Sequence, residues 1–364
     1  MVTQGLVKLL IQIPCLNERE YLSRTFADLP RQIEGIDEIE VLVIDDGSSD
    51  DTSQVAESIG VHHILRFPEH RGLAAAYAAG LDACLRLGAD VIVNTDADNQ
   101  YFGEDIQLLV APIVRGEADI VVGDRQTDQI AHFSPLKRML QRWGSSVVRG
   151  ASGTEVRDST SGFRAINRNA ASRIFVHNRF TYTLETIIQA GRTGLVLRDV
   201  RIRTNPKTRD SRLFRSIPDY LRRSVPVIMR SYAMYRPVRT FAYLAAVLLA
   251  IGLVLIGRFL VSYIEDPTAS RHVQSVVAGV GAVILAFLVG LVAMLSDLLA
   301  ANRRLLEDVL ARVRRVDALL ATQEPRARGQ LRDGIYTTGA PAWRRNGFET
   351  RTGALRETEA SVLD

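Results

Sequence analysis

The stretch that decides the fold is Val91-Ile92-Val93-Asn94-Thr95-Asp96-Ala97-Asp98-Asn99-Gln100. Its short β-branched run predicts a buried strand of a parallel sheet. The acidic segment then lies at the carboxyl end of that strand, where open α/β sheets bind their ligands. Asp96, Asp98 and Gln100 offer oxygen ligands at alternate positions, on one side of an extended segment, and such ligands suit Mg²⁺ or Mn²⁺. A solvated acidic turn is the alternative, so the surrounding sequence has to decide.

Strand and helix patterns alternate on both sides of this stretch. We predict strands at 6–13, 39–45, 61–66, 91–95, 119–123 and 195–203, and helices at 18–30, 51–59, 71–87, 103–115 and 182–191. Such alternation is typical of an α/β fold, a mostly parallel Rossmann-like sheet with helices on both faces. We therefore predict a cytosolic α/β domain over residues 1–208.

Two other predicted strands end in polar segments of the same kind. These are Ile13-Pro14-Cys15-Leu16-Asn17-Glu18 and Val43-Ile44-Asp45-Asp46-Gly47-Ser48-Ser49-Asp50. Asn17, or Ser49 with Asp50, could cap a following helix. Capping explains poorly why three strand ends at one edge of the sheet are acidic or amide-rich, and a metal that bridges a diphosphate explains it better. The sequence has no Gly-x-Gly-x-x-Gly after the first strand and no Walker lysine motif, which disfavours Rossmann redox and P-loop functions.

Two long apolar stretches follow the predicted α/β domain, at about 240–264 and 273–297. The first contains one charged residue, Arg258, near one end, and Val273–Ser296 contains none. Each is long enough to cross about 30 Å of hydrocarbon as a helix. A buried core helix is the alternative, but these runs are too long and too uniformly apolar for it. We therefore predict two transmembrane helices in a hairpin.

The charges that flank the two stretches predict their orientation. The linker Glu265–His272 holds one arginine against two acids, whereas Arg236 and Arg239 precede the first stretch and Arg303 and Arg304 follow the second. The positive-inside rule then places the α/β domain and both termini in the cytoplasm. Cys15 and Cys84 lie in predicted core segments, as expected of a reducing compartment and not of a disulfide framework.

The segments beside the apolar stretches have their own patterns. Residues 209–239 interleave arginines with apolar residues and predict interfacial amphipathic helices on anionic lipid, with a solvated charged face as the alternative. Residues 299–321 follow heptad spacing. This spacing indicates either a homo-oligomer formed through this helix and the transmembrane helices, or an amphipathic surface helix. Residues 322–364 are polar and rich in Gly, Arg and Thr, and we predict that they are disordered.

At this point the chain resembles the family-2 glycosyltransferases of the GT-A fold. More narrowly, it is similar to the polyisoprenyl-phosphate glycosyltransferases, the group that includes dolichyl-phosphate mannosyltransferase. The matching motifs run in order through about residues 8–235: IPCLNE, VIDDGSSDDT, HRGLAAAYAAGLDAC, TDADNQ, VVGDR, DSTSGFRA, YTLET and RTNPKTRDSR. Two C-terminal spans also match the bacterial members.

The resemblance implies a role for each matching position. It implies that the metal ligands are Asp96, Asp98 and Gln100, and that the catalytic residues are Asp96, Asp98 and Arg125. The implied nucleotide-sugar-binding residues are Pro14, Leu16, Asn17, Glu18, Asp46, Arg71, Gly72, Asp96 and Ala97. The candidates for the acceptor phosphate are Arg125, Lys137, Arg138, Ser161, Arg164, Arg209, Ser211 and Arg212. Arginine and lysine close to a membrane suit a lipid phosphate.

The expected reaction is a metal-dependent single displacement at the anomeric carbon by a phosphate oxygen of a polyprenyl phosphate, which inverts the anomeric centre. The acceptor is already an anion at neutral pH, so a strong general base is not required. Glu185 in YTLET takes the place of the base that related hydroxyl-glycosylating enzymes carry, and here it would only orient an arginine. We favour a UDP-sugar donor over GDP-mannose, Mg²⁺ or Mn²⁺ as cofactor, a membrane location and no nucleic-acid partner.

Two alternatives stay open at this point. In one, the donor site is the same but the acceptor is a lipid-linked glycan or a protein. In the other, the chain is a non-catalytic membrane scaffold for other envelope proteins. The intact acidic motif disfavours the scaffold, because a site without a function has no physical need to keep three unpaired acceptors together.

Overall fold

The computed structural model describes residues 6–126, 152–176, 182–205, 237–265, 273–323 and 334–345. The chain divides into two compact units, of which the first comprises Met1–Arg215 with Arg312–Asp364 and the second comprises Ser216–Ala311. The predicted interfacial segment, up to residue 236, lies outside the described residues. The predicted bounds of the two spans and of the cytosolic domain remain predictions.

A mixed sheet forms the core of the first unit. Its nine strands, in the part of the chain that is described, are β1 (Lys8–Cys15), β2 (Glu38–Asp45), β3 (His63–Arg66), β4 (Val91–Asn94), β5 (Ile120–Asp124), β6 (Arg164–Asn167), β7 (Leu197–Arg201), β8 (Ile335–Thr337) and β9 (Trp343–Arg344). The strand order is β7-β5-β6-β4-β1-β2-β3-β8, and β9 pairs with β2. Strands β4, β1, β2 and β3 run parallel, as do β5 and β7. The prediction of a mostly parallel α/β sheet is confirmed.

Six α-helices lie wholly within the described part of the first unit, and one of them, α6, is strongly amphipathic. They are α1 (Leu22–Ala27), α2 (Thr52–Ser58), α3 (Leu73–Arg86), α4 (Ile106–Val114), α5 (Arg168–Arg173) and α6 (Thr183–Arg192). Every residue of β1 is buried, so both faces of the sheet are covered at its centre. Central strands of this kind are continuous apolar runs for that reason.

Strand β6 reverses the direction of the sheet next to the acidic motif. It lies antiparallel between β4 and β5, with Arg164 opposite Asn94 in the register. An antiparallel strand begins at the edge where its parallel neighbours end. The loop that precedes β6, residues 158–163, therefore lies beside the carboxyl end of β4, next to Asp96.

Residues 334–345 correct the prediction of a disordered tail over 322–364. Strand β8 pairs antiparallel with β3, and β9 pairs antiparallel with the start of β2. The composition is polar, but strand pairing uses backbone groups, and two apolar anchors suffice here. Ile335 is 4% exposed, and the Trp343 ring lies 5.4 Å from that of Phe26.

The second unit contains two apolar helical segments. Helix α7 covers Pro237–Glu265, and α8 (Val273–Gln323) begins in this unit and has its last residues, from Arg312, in the first. Phe241–Glu265 and Val273–Ala321 are long and apolar enough to cross a membrane. A Cβ on Gly252 would lie 2.9 Å from the carbonyl oxygen of Gly279, and the converse distance is the same. The two backbones touch at this glycine pair, as is common between membrane helices.

Helix α8 continues without a break past residue 297, the predicted end of the second span. The apolar members of the predicted heptad row are exposed, among them Leu299, Leu306 and Val313 at 68%, 68% and 55%. Self-association through this row stays a prediction.

Candidate functional site

The loops that follow β1 and β2 interlock at the carboxyl edge of the sheet. The side-chain oxygen of Asn17 accepts a hydrogen bond from the Ser49 amide at 2.9 Å, and the Asn17 amide donates to Ser48 Oγ at 3.0 Å. Asn17 has a φ of 54°, in the left-handed region, where asparagine is tolerated better than most residues. No side chain caps α1, so Asn17 joins two loops and the capping explanation does not apply to it.

The other predicted donor-site residues of the first loop lie beside Asn17. Pro14 is buried within β1, and Leu16 is half-buried. Glu18 is 6% exposed, and its amide donates to Thr52 Oγ1 at 3.0 Å. Thr52 begins α2 after the N-cap residue Asp51, and the Thr52 amide donates to the Asp50 carboxylate at 3.1 Å. The predicted residues from β1 and β2 are therefore brought together in one polar edge.

Asp46 binds the backbone that leads into α3. Its two carboxylate oxygens accept hydrogen bonds from the amides of Arg71 and Gly72, at 2.7 and 2.9 Å. Gly47 allows this approach, because a Cβ there would lie 2.6 Å from the His70 nitrogen, and its φ is 71°. The carboxylate of Asp46 therefore fixes the loop that carries Arg71. The Arg71 guanidinium lies 4.9 Å above the Phe67 ring.

The acidic motif lies between these loops and β6. The Ala97 carbonyl accepts from Thr25 Oγ1 at 2.7 Å, and Asn99 donates to the Asp28 carboxylate at 2.7 Å. Gln100 donates its side-chain amide to Asp98 at 2.9 Å. These bonds hold the turn in place while Asp96 and Asp98 stay half-buried.

Asp96 lies at the centre of the site, and the pKa of its carboxyl is shifted. Burial raises the pKa of Asp96 to about 6, and the neighbouring charge of Asp98 adds to the shift. A cation placed between two neighbouring carboxylates stabilises both of them in the charged form. With phosphate oxygens completing the coordination, this donor set fits Mg²⁺ or Mn²⁺. Within the described ranges no group of three or more His, Cys, Asp or Glu side chains is arranged to hold a metal.

Sequence reasoning missed the residues that position Asp96. The Tyr101 hydroxyl is hydrogen-bonded to Asp96 and accepts from the Gly162 amide at 3.3 Å, and its ring stacks on Phe163 at 4.7 Å. A Cβ on Gly162 would lie 3.0 Å from the Tyr182 hydroxyl and 3.1 Å from an Asp96 oxygen. The sequence shows the tyrosine and the glycine, but no periodicity indicates that they meet at Asp96.

Arg125, at the end of β5, is brought to the same site. Its guanidinium donates to both carboxylate oxygens of Asp158, at 2.7 and 3.0 Å, and to Thr160 Oγ1 at 2.8 Å. Burial alone would raise the pKa of Asp158, and the Arg125 guanidinium lowers it below its usual range. The charge of Arg125 also lowers the pKa of Asp96, although burial dominates there. A bidentate pair of this kind fixes the orientation of the guanidinium.

Two of the acceptor candidates, Arg164 and Ser161, are buried. Arg164 is 1% exposed, and its guanidinium donates to the carbonyls of Ser161 and Ser159, at 2.8 and 3.0 Å, and to Thr186 Oγ1 at 2.7 Å. Ser161 is fully buried. Arg164 therefore holds the loop before β6 against α6, and a contact of Arg164 or Ser161 with the acceptor phosphate stays a prediction.

The remaining acceptor candidates lie outside the described residues, and their role stays a prediction. They are Lys137, Arg138, Arg209, Ser211 and Arg212. Glu185 is 4% exposed and lies in the first turn of α6.

Comparison with known proteins decides the family. The glycosyl transferase family 2 model matches residues 10–175. An uncharacterized protein of Methanocaldococcus jannaschii is 32% identical over 205 residues, which are 54% of this chain and 81% of that protein. The chain belongs to glycosyl transferase family 2. It is a glycosyltransferase, and the resemblance found in its motifs is confirmed.

Two relatives of this family 2 enzyme have names that refer to a polyprenol or undecaprenyl phosphate. The polyprenol monophosphomannose synthase of Mycolicibacterium smegmatis is 30% identical over 172 residues, which are 45% of this chain and 63% of that enzyme. The undecaprenyl-phosphate mannosyltransferase of Micrococcus luteus is 32% identical over 165 residues, or 44% of this chain and 66% of that enzyme. The chain thus spans slightly less than two thirds of each of these two relatives.

Proposed function

We propose that this glycosyltransferase transfers a sugar from a nucleotide sugar to a polyprenyl phosphate, with inversion, at the cytoplasmic face of a membrane. The observation that supports it most is the meeting of Asp96 and Asp98 with Arg125 at one edge of the sheet, in a chain that also has two apolar helices. Acidic groups suit a metal-bound diphosphate, and an oriented arginine suits a second phosphate. The two named relatives add support for the lipid-phosphate acceptor.

The donor is proposed to lie across the ends of β1, β2 and β4. Asn17 and Glu18 would face the nucleoside, and the loop that Asp46 fixes would bring Arg71 towards the phosphates. Asp96, Asp98 and Gln100 would hold Mg²⁺ or Mn²⁺, with Gln100 giving up the present bond from its Nε2 to Asp98 and presenting its amide oxygen instead. The metal would neutralise charge on the departing nucleoside diphosphate. We favour UDP over GDP as the nucleotide.

The acceptor is proposed to approach from the side of Arg125. Asp158 and Thr160 hold its Nε and Nη2, and its Nη1 has no hydrogen-bond partner among the described residues. This nitrogen would meet the lipid phosphate and place its oxygen behind the anomeric carbon. The rate enhancement then comes mainly from positioning. We assign no proton transfer to the buried Glu185, because a phosphate nucleophile needs none.

The membrane is proposed to supply the acceptor. The side chains of α7 are exposed in this unit, with Val254 and Ile264 at 70% and 71%, and lipid would cover them. With the catalytic domain and both termini in the cytoplasm, a soluble donor and a membrane-bound phosphate meet at the interface. The product, a polyprenyl-phosphate sugar, would serve envelope glycans or glycoproteins.

The proposal is tested by product analysis with purified full-length protein in detergent. The protein is incubated with Mg²⁺ or Mn²⁺, undecaprenyl phosphate and a panel of UDP- and GDP-sugars, and lipids are identified by mass spectrometry. We expect one donor to give a polyprenyl-phosphate sugar. Glu117→Gln, a surface acid paired with Arg115, is the matched control and is expected to keep activity. Failure with every donor, or transfer only to a lipid-linked glycan or a protein, would reject the proposed acceptor.

A further inference from the structure

The C-terminal segment contacts the two elements that bracket the Arg71 loop. We define the C-terminal clamp as residues 312–323, the end of α8, together with 334–345, which contain β8 and β9; both belong to the first unit. We define the donor loop as residues 67–72, which join β3 to α3. We propose that the C-terminal clamp positions the donor loop and so sets the affinity for the nucleotide sugar. This inference rests on the proposed donor site.

The first contact is with β3, which enters the donor loop. Strand β8 pairs with β3 along its length up to Leu65, with Ile335 opposite Leu65 and Thr337 opposite His63. The amide of Arg66, the last residue of β3, points to the Gly334 carbonyl at 3.5 Å. A strand of four residues with one neighbour is a weak element. With β8 in place, β3 has a neighbour on each side.

Side-chain contacts also join the C-terminal clamp to the residues that precede β3. His62 accepts a hydrogen bond from the Val41 amide on Nδ1 at 3.0 Å, so its proton is on Nε2, which lies 3.1 Å from the Pro341 carbonyl oxygen. Thr338 donates to the Val61 carbonyl at 2.6 Å. The Trp343 ring meets His62 edge-on at 5.2 Å, and it has the Arg31 guanidinium over its face at 5.4 Å.

The second contact is with α3, which leaves the donor loop. In the last turns of α8, Arg314 pairs with Asp82 at 3.1 Å and Asp317 pairs with Arg86 at 2.8 Å. Arg314 also donates to the Ile174 carbonyl at 2.7 Å and lies 4.4 Å above the Phe175 ring. The end of α8 therefore contacts α3 through two ion pairs and the segment after α5 through a carbonyl and a ring.

The donor loop transmits these contacts to the site. Phe67 donates to the Asp45 carbonyl at 2.9 Å at one end of the loop, and Arg71 and Gly72 donate to the Asp46 carboxylate at the other. A shift of β3 away from β2 therefore moves the amides that Asp46 binds. If the clamp opens, the fraction of molecules with a competent donor loop falls, and the apparent donor affinity falls by the same factor.

The test uses full-length Ile335→Asp, which places a charge at a buried strand position, and compares it with Arg345→Ala at the exposed end of β9. Hydrogen exchange measured without ligands reports the clamp through β8 and the donor loop through the Arg71 and Gly72 amides. For Ile335→Asp we expect faster exchange in both places and a rise of about tenfold in donor KM. The acceptor KM and kcat should change little, and Arg345→Ala should match the wild type.

A second pair of variants separates positioning from folding. Trp343→Ala should raise donor KM in the same direction, and Trp343→Phe, which keeps a ring beside His62, should restore most of the affinity. Fast exchange in β8 with unchanged exchange at Arg71 and Gly72 would overturn the inference. A fall in kcat with the KM of both substrates unchanged would overturn it as well. The exchange data test the coupling between β8 and the donor loop even if the wild type binds no nucleotide. In that case the proposed function fails independently of the inference.

Discussion

Two acidic regions of the site, the Asp46 loop and the Asp96–Asp98 motif, use the same functional group in opposite ways. Both oxygens of Asp46 are satisfied by backbone amides, and its neighbour His70 lies 2.8 Å away. Asp96 instead has the charge of Asp98 beside it, and burial and that charge raise its pKa to about 6. The carboxylate of Asp46 holds the loop, whereas the neighbouring carboxylates of Asp96 and Asp98 are suited to a cation. The predictions below separate these two roles.

The largest effect is expected at the acidic pair. Asp98→Asn removes one charge from the metal site, and metal stabilisation of the leaving group is worth several kcal/mol, so activity should fall on the order of 10³-fold. The fall should be measured with saturating Mg²⁺ and again with Mn²⁺. Wild-type activity in Asp98→Asn would remove the distinction between the two regions.

The next effect is expected at Gly162, which has room for no side chain. Gly162→Ala places a Cβ 3.0 Å from the Tyr182 hydroxyl and 3.1 Å from Asp96, so the carboxylate has to move. We expect a loss of about 10²-fold in kcat, as displacement of a catalytic group produces. Gly257→Ala in α7, where a Cβ meets nothing within 4 Å, is the matched control. Equal kinetics for both variants would show that Asp96 is not held tightly.

Asp46→Asn tests the loop-building role. An amide offers one acceptor oxygen, so one of the Arg71 and Gly72 amides loses its charged partner, at a cost of about 1.5–3 kcal/mol. We expect donor KM to rise at least tenfold while the metal dependence stays that of the wild type. Asp37→Asn, whose carboxylate also binds a backbone amide, that of Val7 at 2.8 Å, is the control. An altered metal requirement in Asp46→Asn would place Asp46 among the metal ligands.

Tyr101→Phe should have a smaller effect on the acidic pair. The variant keeps the ring that stacks on Phe163 and removes one hydrogen bond to Asp96, worth about 1–2 kcal/mol. We expect metal affinity to fall by about tenfold or less, as measured by activity against Mn²⁺ concentration. Tyr77→Phe is the control, because the Tyr77 hydroxyl has no hydrogen-bond partner in the described part of the chain. Equal metal curves for the two variants would remove Tyr101 from the site.

The smallest effect is a pH dependence of the C-terminal clamp. Burial lowers the pKa of His62, and Glu40, His63 and Lys8 are the charged groups around it. The folded state then binds fewer protons than the unfolded state below about pH 6.5, so the contribution of neutral His62 is complete above that pH and decreases as the pH falls. The protection factors of the β8 amides, which are exchange rates corrected for the intrinsic effect of pH, should fall between pH 7.5 and 5.5, and less so in His62→Gln. The same fall in both proteins would assign the pH dependence to another group.

The elements that the sequence predicted share one physical property, which is that their pattern is local. The apolar run of β4 and the amphipathic spacing of α6 (Thr183–Arg192) depend on neighbours a few residues away, and both were found. The acidic motif was predicted because strand ends collect at one edge of the sheet, whereas Arg125 was predicted from the family resemblance. Strand β6 was not predicted, since four residues after a turn carry little pattern.

The missed parts of the site depend on contacts between distant residues. Tyr101 reaches Asp96 through a turn, and Gly162 matters because of a hydroxyl 20 residues further along the chain, in Tyr182. The burial of Arg164 could not be predicted either, because an arginine in a loop looks the same whether it binds carbonyls or phosphate. Strand β8 of the C-terminal clamp forms because the edge of β3 offers backbone groups to pair with. The composition of this segment alone predicts a disordered tail.

The measurement that tests the central claim most directly counts two products of one reaction. Purified protein is given the active nucleotide sugar and undecaprenyl phosphate, and the nucleoside diphosphate released is compared with the polyprenyl-phosphate sugar formed. The proposed mechanism predicts equal amounts from the wild type and from Glu117→Gln, and a loss of both on the order of 10³-fold in Asp98→Asn. Release of nucleoside diphosphate without the lipid product, or both at wild-type rates in Asp98→Asn, would contradict it.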